Sequence, residues 1–378
     1  MAQTFDVIVL GVGGMGSSTC FELARRGRKV LGLEQFDLVH SRGSSHGQTR
    51  IIRQAYHEHP DYVPLVRRAY SKWYDLEQRT GRHLLTECAC LNLGPATGKT
   101  VHGARTSARK HGLHVAELSA ERITKTFPQF RLPADYAGVL EANAGFLYVE
   151  DCVRAHIDAA TILGAEIHAN EPVLEWKVAG DGVEVRTAKE TYHAGRLVVT
   201  AGAWATKLLA DLGVPLTVMR QVLLWFSVQG REHLFRRDGF PIFIAETPDG
   251  FFYGLPAIDG HGLKVAAHQN APRLAKPEDV DWTATESDDP LVRSFLERFI
   301  PPAAGTVTKR QVCMYTMTPD GHFVIDRHPQ HPQVSVACGF SGHGFKFASA
   351  VGEVLADLAE TGRTGCRIDL FRATRFQR

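Results

Sequence analysis

The chain of 378 residues is short of paired cysteines, of long apolar runs and of excess charge of either sign. Its seven cysteines, Cys20, Cys88, Cys90, Cys152, Cys313, Cys338 and Cys366, are odd in number and scattered. Cys88-Ala-Cys90 is the only close pair, and no second pair stands at metal-site spacing, so no disulfide framework and no metal centre is expected. Reduced thiols fit a reducing compartment, and a cytoplasmic location is the expectation. The first apolar run, 5–10, is too short to cross a bilayer, and no basic segment precedes it as in a secretion signal. The C-terminal FRATRFQR carries no prenylation or peroxisomal tail. A formal net charge of +2 comes with no basic stripe, so neither a nucleic acid nor a membrane is an expected partner. Internal repeats and low-complexity segments are also missing. What remains is an ordinary globular composition, 44% hydrophobic and 22% charged, in a chain long enough for two or three domains.

The most informative stretch is FDVIVLGVGGMGSSTCFELARRGRKVLGLEQF, residues 5–36. Its apolar run 5–10 predicts a parallel strand buried on both faces. Gly11, Gly13 and Gly16 then spell G-x-G-x-x-G; 17–26 reads as a helix, Gly27 as its C-cap, and 29–33 as a second strand ending at Glu34. Gly11 permits the tight turn, Gly13 lets the backbone approach a pyrophosphate, and Gly16 lets helix and strand pack closely. The helix N-terminus offers free N–H groups to phosphate, and Glu34 can accept hydrogen bonds from a ribose diol. The glycines alone are weak, but strand, helix, strand and acid in register predict dinucleotide binding, with NAD and FAD both open.

Further on, 62–76 has helical spacing with Gly81 as a stop. Residues 151–163 read as a helix capped by Asp151 and ended by Gly164. Between 221 and 268, VLLWFSV, PIFIAE, GFFYGLPA and GLKVAAH are strand-like segments broken by Gly, Pro and Asp, the texture of an antiparallel sheet. The expected fold is α/β: a discontinuous Rossmann-like domain (1–84, 148–214 and 307–378) with an inserted, mostly antiparallel substrate domain (85–147 and 215–306).

One cysteine sits on a strand just before a Pro-Asp-Gly turn, in KRQVCMYTMTPDGHFVIDRHP, 309–329. Read alone, Cys313 is a small buried hydrophobe. Its segment, however, stands with FDVIVLGVGGMG, GSSHGQTRIIRQAY, VVTAGAW, GLKVAAH and GFSGHGFKF. In that set and order, nearly end to end, the chain resembles the monomeric sarcosine oxidase and N-methyltryptophan oxidase family of FAD-dependent amine oxidases. The resemblance implies one FAD per chain, bound covalently to Cys313 through a thioether, with Ser44, Gly342 and Gly344 also at the cofactor. It implies that Arg53 and Lys346 hold a substrate carboxylate, a task suited to a guanidinium fork and a point charge. By the same resemblance Lys264 promotes reaction with oxygen, and Arg50 and His46 lie close to the flavin ring. His268, Tyr253, Tyr315 and Ile244 line the substrate cavity.

The implied reaction oxidises an N-methyl amino acid to an imine, which water splits to amine and aldehyde, with hydrogen peroxide as co-product. Oxidation of a cyclic amino acid such as L-pipecolate or L-proline, or dehydrogenation with another electron acceptor, are the other readings. A monomer is implied, with small amino acids and oxygen as partners. Two departures bear on side-chain specificity: Ser45 stands where sarcosine-specific members carry histidine, and Ile244 replaces a methionine.

Overall fold

Strand Thr4–Leu10 lies at the centre of a parallel sheet, as its two-sided apolar sequence requires. The computed structural model describes residues 4–376. Across the parallel part the order is Glu166–His168, Val30–Leu33, Thr4–Leu10, Thr191–Val199, Val334–Cys338. The chain therefore leaves the central strand to one side first and returns to fill the other, which opens a crevice at the C-terminal end of Thr4–Leu10. Helix Gly14–Ala24 starts in that crevice, three residues earlier than the spacing suggests. Gly11 turns the chain with φ +83°, and a Cβ on Gly16 would lie 1.8 Å from the Gly11 carbonyl oxygen, so both glycines are required by geometry.

Behind this helix, Val63–Thr80 and Ala348–Thr361 are joined by a buried ion network. Lys72 bridges Glu22 (2.7 Å) and Glu353 (3.0 Å). The network matters to the site because Lys346 sits in the turn that enters Ala348–Thr361.

The second sheet has nine strands, antiparallel except where Ile242–Thr247 runs alongside Cys90–Pro95. Strand alternation divides its residues between two faces. Phe243, Phe252, Leu263 and Val265 join an aromatic core capped by helix Pro290–Phe299. Their neighbours Ile244, Tyr253 and Lys264 point the other way, as do Cys313 and Tyr315, which alternate with buried Val312 and Met314. The period of two thus gathers these five residues on one face of the sheet.

Two details differ from the sequence reading. Helix Val149–Ile162 begins before Asp151, with Tyr148 at the N-cap, because the strand Gly145–Tyr148 runs directly into it. Glu150 and Asp151 occupy its first turn instead. Strand Val307–Met317 pairs along Thr217–Phe226 in the second sheet. We propose the division into a nucleotide and a substrate domain with this strand moved to the latter. A third, small sheet of Thr49–Ile52, Gly145–Tyr148 and Leu85–Glu87 carries Arg50. Among the described residues, no helix is long and apolar enough to cross a membrane.

Candidate active site

A cavity of about 400 Å³ runs from the glycine turn to the open face of the second sheet. Gly11, Gly13, Glu34, Ser44, Arg50, Arg53, Ile244, Tyr253, His268, Tyr315, Gly342, Gly344 and Lys346 all line it. Gly16, His46, Lys264 and Cys313 lie just behind its wall. Gly16 serves the packing of the helix, where a Cβ would strike the Gly11 carbonyl.

The nucleotide end is shaped for an anion. Helix Gly14–Ala24 has Gly13 at its N-cap, so the cap residue has no side chain of its own to fill the site, and the first turn holds no acid. The Gly14 N–H donates to Ser45 Oγ (3.0 Å), which fixes the loop 43–48 over the helix end. Glu34 accepts the Val12 N–H (2.9 Å) and the Phe36 N–H (3.1 Å), with lone pairs left for a ribose. A Cβ on Gly342, at φ +84°, would strike the Tyr315 ring, so the backbone approaches there as only glycine permits. These features fit a dinucleotide.

In the wall itself, Arg50 is the hub. Its Nη1 donates to Thr49 O (2.9 Å), and its Nη2 to Ser44 O (2.9 Å) and Cys313 Sγ (3.4 Å). Ser44 Oγ in turn donates to Met314 O (2.6 Å), tying the loop to the cysteine strand. His46 accepts from Gln311 through Nδ1 and donates from Nε2 to Gly43 O, both at 2.9 Å. Burial and the Arg50 charge drive its pKa down to about 3, so it is a neutral strut. Lys264 Nζ is buried and donates to Gly47 O (2.6 Å) and Thr49 O (2.8 Å). Burial, then Arg50, hold its pKa well below the ordinary lysine range.

At the substrate end, Arg53 and Lys346 share the ring of Tyr56. The guanidinium carbon lies 4.3 Å and the Lys346 nitrogen 5.2 Å from its centroid. Trp73 Nε1 donates to Lys346 O (2.9 Å), and Lys346 Nζ donates to His343 O (2.7 Å), which sets the lysine's reach. Burial and the neighbouring Arg53 lower Lys346 to a pKa of about 7. His268, brought to about 4 by burial, stands 3.4 Å from the Tyr315 hydroxyl.

Sequence reasoning missed Glu58. Arg53 Nη2 donates to both of its carboxylate oxygens (2.8 and 2.7 Å), while Arg53 Nε is buried without a partner. Burial, the largest single influence, works to raise the Glu58 pKa, but Arg53 together with His57, His343 and Lys346 outweighs it and holds the group well below the carboxylate range. His57, beside it, also faces the cavity and is held neutral, near 3, by burial. The sequence signal was only a polar run, His57-Glu58-His59, after the recognised arginine. Glu150 was missed too: its carboxylate accepts the Gly47 N–H (2.7 Å) and holds the loop under Lys264.

Comparisons with known proteins agree with this geometry. A family described as FAD dependent oxidoreductase matches residues 6–358. Over 375 residues the chain is 46% identical to monomeric sarcosine oxidase of Streptomyces avermitilis, spanning 98% of this chain and 97% of that one. It is 36% identical over 375 residues to N-methyl-L-tryptophan oxidase of Yersinia pestis (strain Pestoides F), spanning 99% and 100%. Among solved structures it is similar to the open form of NikD, an unusual amino acid oxidase essential for nikkomycin biosynthesis. That likeness has a TM-score of 0.86 at 25% identity and covers 98% of this chain and 97% of NikD.

Proposed function

Because the chain belongs to the FAD dependent oxidoreductase family, we propose that it oxidises secondary, N-methylated amino acids with oxygen as acceptor. Bound FAD supplies a two-electron acceptor that oxygen can regenerate. The observation that carries the substrate class is the pair of cations, Arg53 and Lys346, that line the cavity beside the Tyr56 ring. They match a carboxylate. The wall between them and the nucleotide end is built of Ile244, Tyr253, His268 and Tyr315, which suits a small, largely apolar amine.

The chain's own residues act as follows. Arg53 exchanges Glu58 for the substrate carboxylate, using the Nε that has no partner in the free protein. Lys346 adds its charge when protonated. The cluster of cations disfavours an ammonium nearby, so the amine binds in the neutral form from which oxidation is easiest. The aromatic wall excludes water. Arg50 holds Cys313, the proposed point of covalent attachment, and Lys264 stands ready where oxygen is reduced. We propose a monomer. A peroxide-coupled screen of N-methyl and cyclic amino acids tests the reading: turnover of N-methyl substrates supports it, and peroxide formed only with pipecolate or proline overturns it.

Two outcomes at the carboxylate end are expected. Losing a charge-assisted hydrogen bond costs roughly 1.5–3 kcal/mol, so Arg53→Ala should weaken acetate binding by about tenfold or more. Titrations that follow flavin absorbance measure this, and unchanged affinity would sink the clamp. The second concerns pH. Lys346 carries its charge below its pKa of about 7 and loses it above. Acetate affinity should therefore fall as pH rises through neutrality, and Lys346→Met should flatten that part of the profile.

A further inference from the structure

Outside the cavity, two histidines and an aspartate meet at the edge of the nucleotide-binding sheet. We propose that Asp211, His328 and His331 form a binding site for a divalent transition-metal ion of the zinc class, with its fourth position open to water. None of the three lines the catalytic cavity. His328 and His331 lie in the turn between strands Val324–Arg327 and Val334–Cys338, at the end of the latter opposite the loop 339–344. Asp211 comes from the short helical turn Ala210–Leu212, just before the chain enters the second sheet.

The donor atoms are already gathered: one from each residue, all within 4.8 Å of one another. His328 Nε2 lies 3.3 Å from Asp211 Oδ1, and His331 Nε2 lies 3.3 Å from Asp211 Oδ2. A tetrahedral ion with bonds of about 2.0 Å holds its ligands about 3.3 Å apart, so the two imidazoles, which now meet different oxygens of Asp211, close in slightly from within 4.8 Å when the ion binds. Two imidazoles and a carboxylate with an open fourth position are an established zinc donor set.

The second observation is His328 itself. Its side chain is fully buried (0% exposed), yet Nε2 has no hydrogen-bond partner. The Asp211 oxygen is near but not aligned to accept its proton, so a polar atom is buried and aimed into the cluster without satisfaction. Such atoms are rare because each forfeits its hydration. The two rings stack with centroids 4.6 Å apart, and Trp176 closes the apolar side of the cluster with its ring edge-on to both. Trp176 is itself pinned by Nε1–H donation to Leu208 O (2.8 Å). His331 and Asp211 are partly exposed, which leaves an entry path for an ion. Ligation through Nε2 leaves the ring proton on Nδ1, so the long contact from the Gln330 N–H (3.3 Å) is given up.

The test uses flavin-loaded, metal-free protein titrated with Zn²⁺ by calorimetry, and with Co²⁺, whose visible bands report tetrahedral coordination. The wild type should bind one equivalent at this site and melt at higher temperature with Zn²⁺. Because even second-shell changes weaken metal sites 10- to 100-fold, losing a ligand should cost more than about 100-fold. Asp211→Asn and His331→Asn change partly exposed groups and should keep fold, flavin spectrum and oxidase activity while losing the cobalt bands and the thermal shift. His328→Ala should behave alike, provided that it folds. Zinc affinity and cobalt spectra unchanged in Asp211→Asn and His331→Asn, or no tetrahedral cobalt spectrum in the wild type, would overturn the assignment.

Discussion

Cys313→Ser is expected to release essentially all of its flavin into the supernatant on acid precipitation, whereas the wild-type pellet stays yellow. The prediction rests on where the sulfur sits. Cys313 is buried in the second sheet, on the face that looks toward the cavity, with Arg50 Nη2 3.4 Å from Sγ. Among the described residues no other cysteine has that combination: Cys20, Cys88, Cys90, Cys152, Cys338 and Cys366 have no arginine donating to their sulfur as Arg50 does to Cys313. Serine keeps the size of the side chain and removes only the nucleophilic sulfur, so the fold should survive and the attachment should not. Measuring protein-bound absorbance after acid and denaturant decides it. Free flavin in the wild-type supernatant, or a yellow Cys313→Ser pellet, would remove the covalent link from this account.

The second large effect belongs to Lys264. The first electron given to oxygen creates a concentrated negative charge. A fixed ammonium at about 4 Å would stabilise that charge by at most ~4 kcal/mol at an effective dielectric near 20. With ~1.4 kcal/mol per factor of ten, Lys264→Met should slow reaction of the substrate-reduced enzyme with oxygen by roughly a hundredfold. Lys264 donates to the carbonyls of Gly47 and Thr49, so its amine is held in place before any charge arrives. Its lowered pKa adds a sign. As pH rises through that value the ammonium is lost, so the wild-type oxygen step should slow with rising pH and the Met variant should not show that slowing. Anaerobic reduction by substrate develops no such charge and should change little. Stopped-flow traces of the two half-reactions separate them, and equal slowing of both would make Lys264 a positioning residue.

The parts of the molecule visible in the sequence are those where neighbours in the chain are neighbours in space. Gly11, Gly16 and Glu34 could be read because strand, turn, helix and acid follow one another within thirty residues, and the structure places them at one crevice. The alternation that gathers Ile244, Tyr253 and Lys264 was also implicit, since period two is a local property. Cys313, by contrast, was legible only through resemblance, because a lone thiol on a strand has no local mark of chemistry. Glu58 was missed for a different reason. Its pairing with Arg53 depends on how the loop after Ile52 turns, and a carboxylate among polar residues reads as a solvated charge. Likewise, strand Val307–Met317 looked continuous with the nucleotide domain, yet its hydrogen bonds go to Thr217–Phe226, about ninety residues back. Pairing over that separation leaves no trace in spacing.

The division of the second sheet into two faces gives this chain room to change what it accepts. Phe243, Phe252, Leu263 and Val265 carry the fold on one side, and Ile244, Tyr253 and His268 line the cavity on the other. Exchanging Ile244 for a larger or smaller residue alters the cavity without opening a hole in the aromatic core behind it. Selection, natural or in the laboratory, can therefore explore new amines one odd-numbered or even-numbered position at a time, with the stability of the scaffold largely insulated from the search.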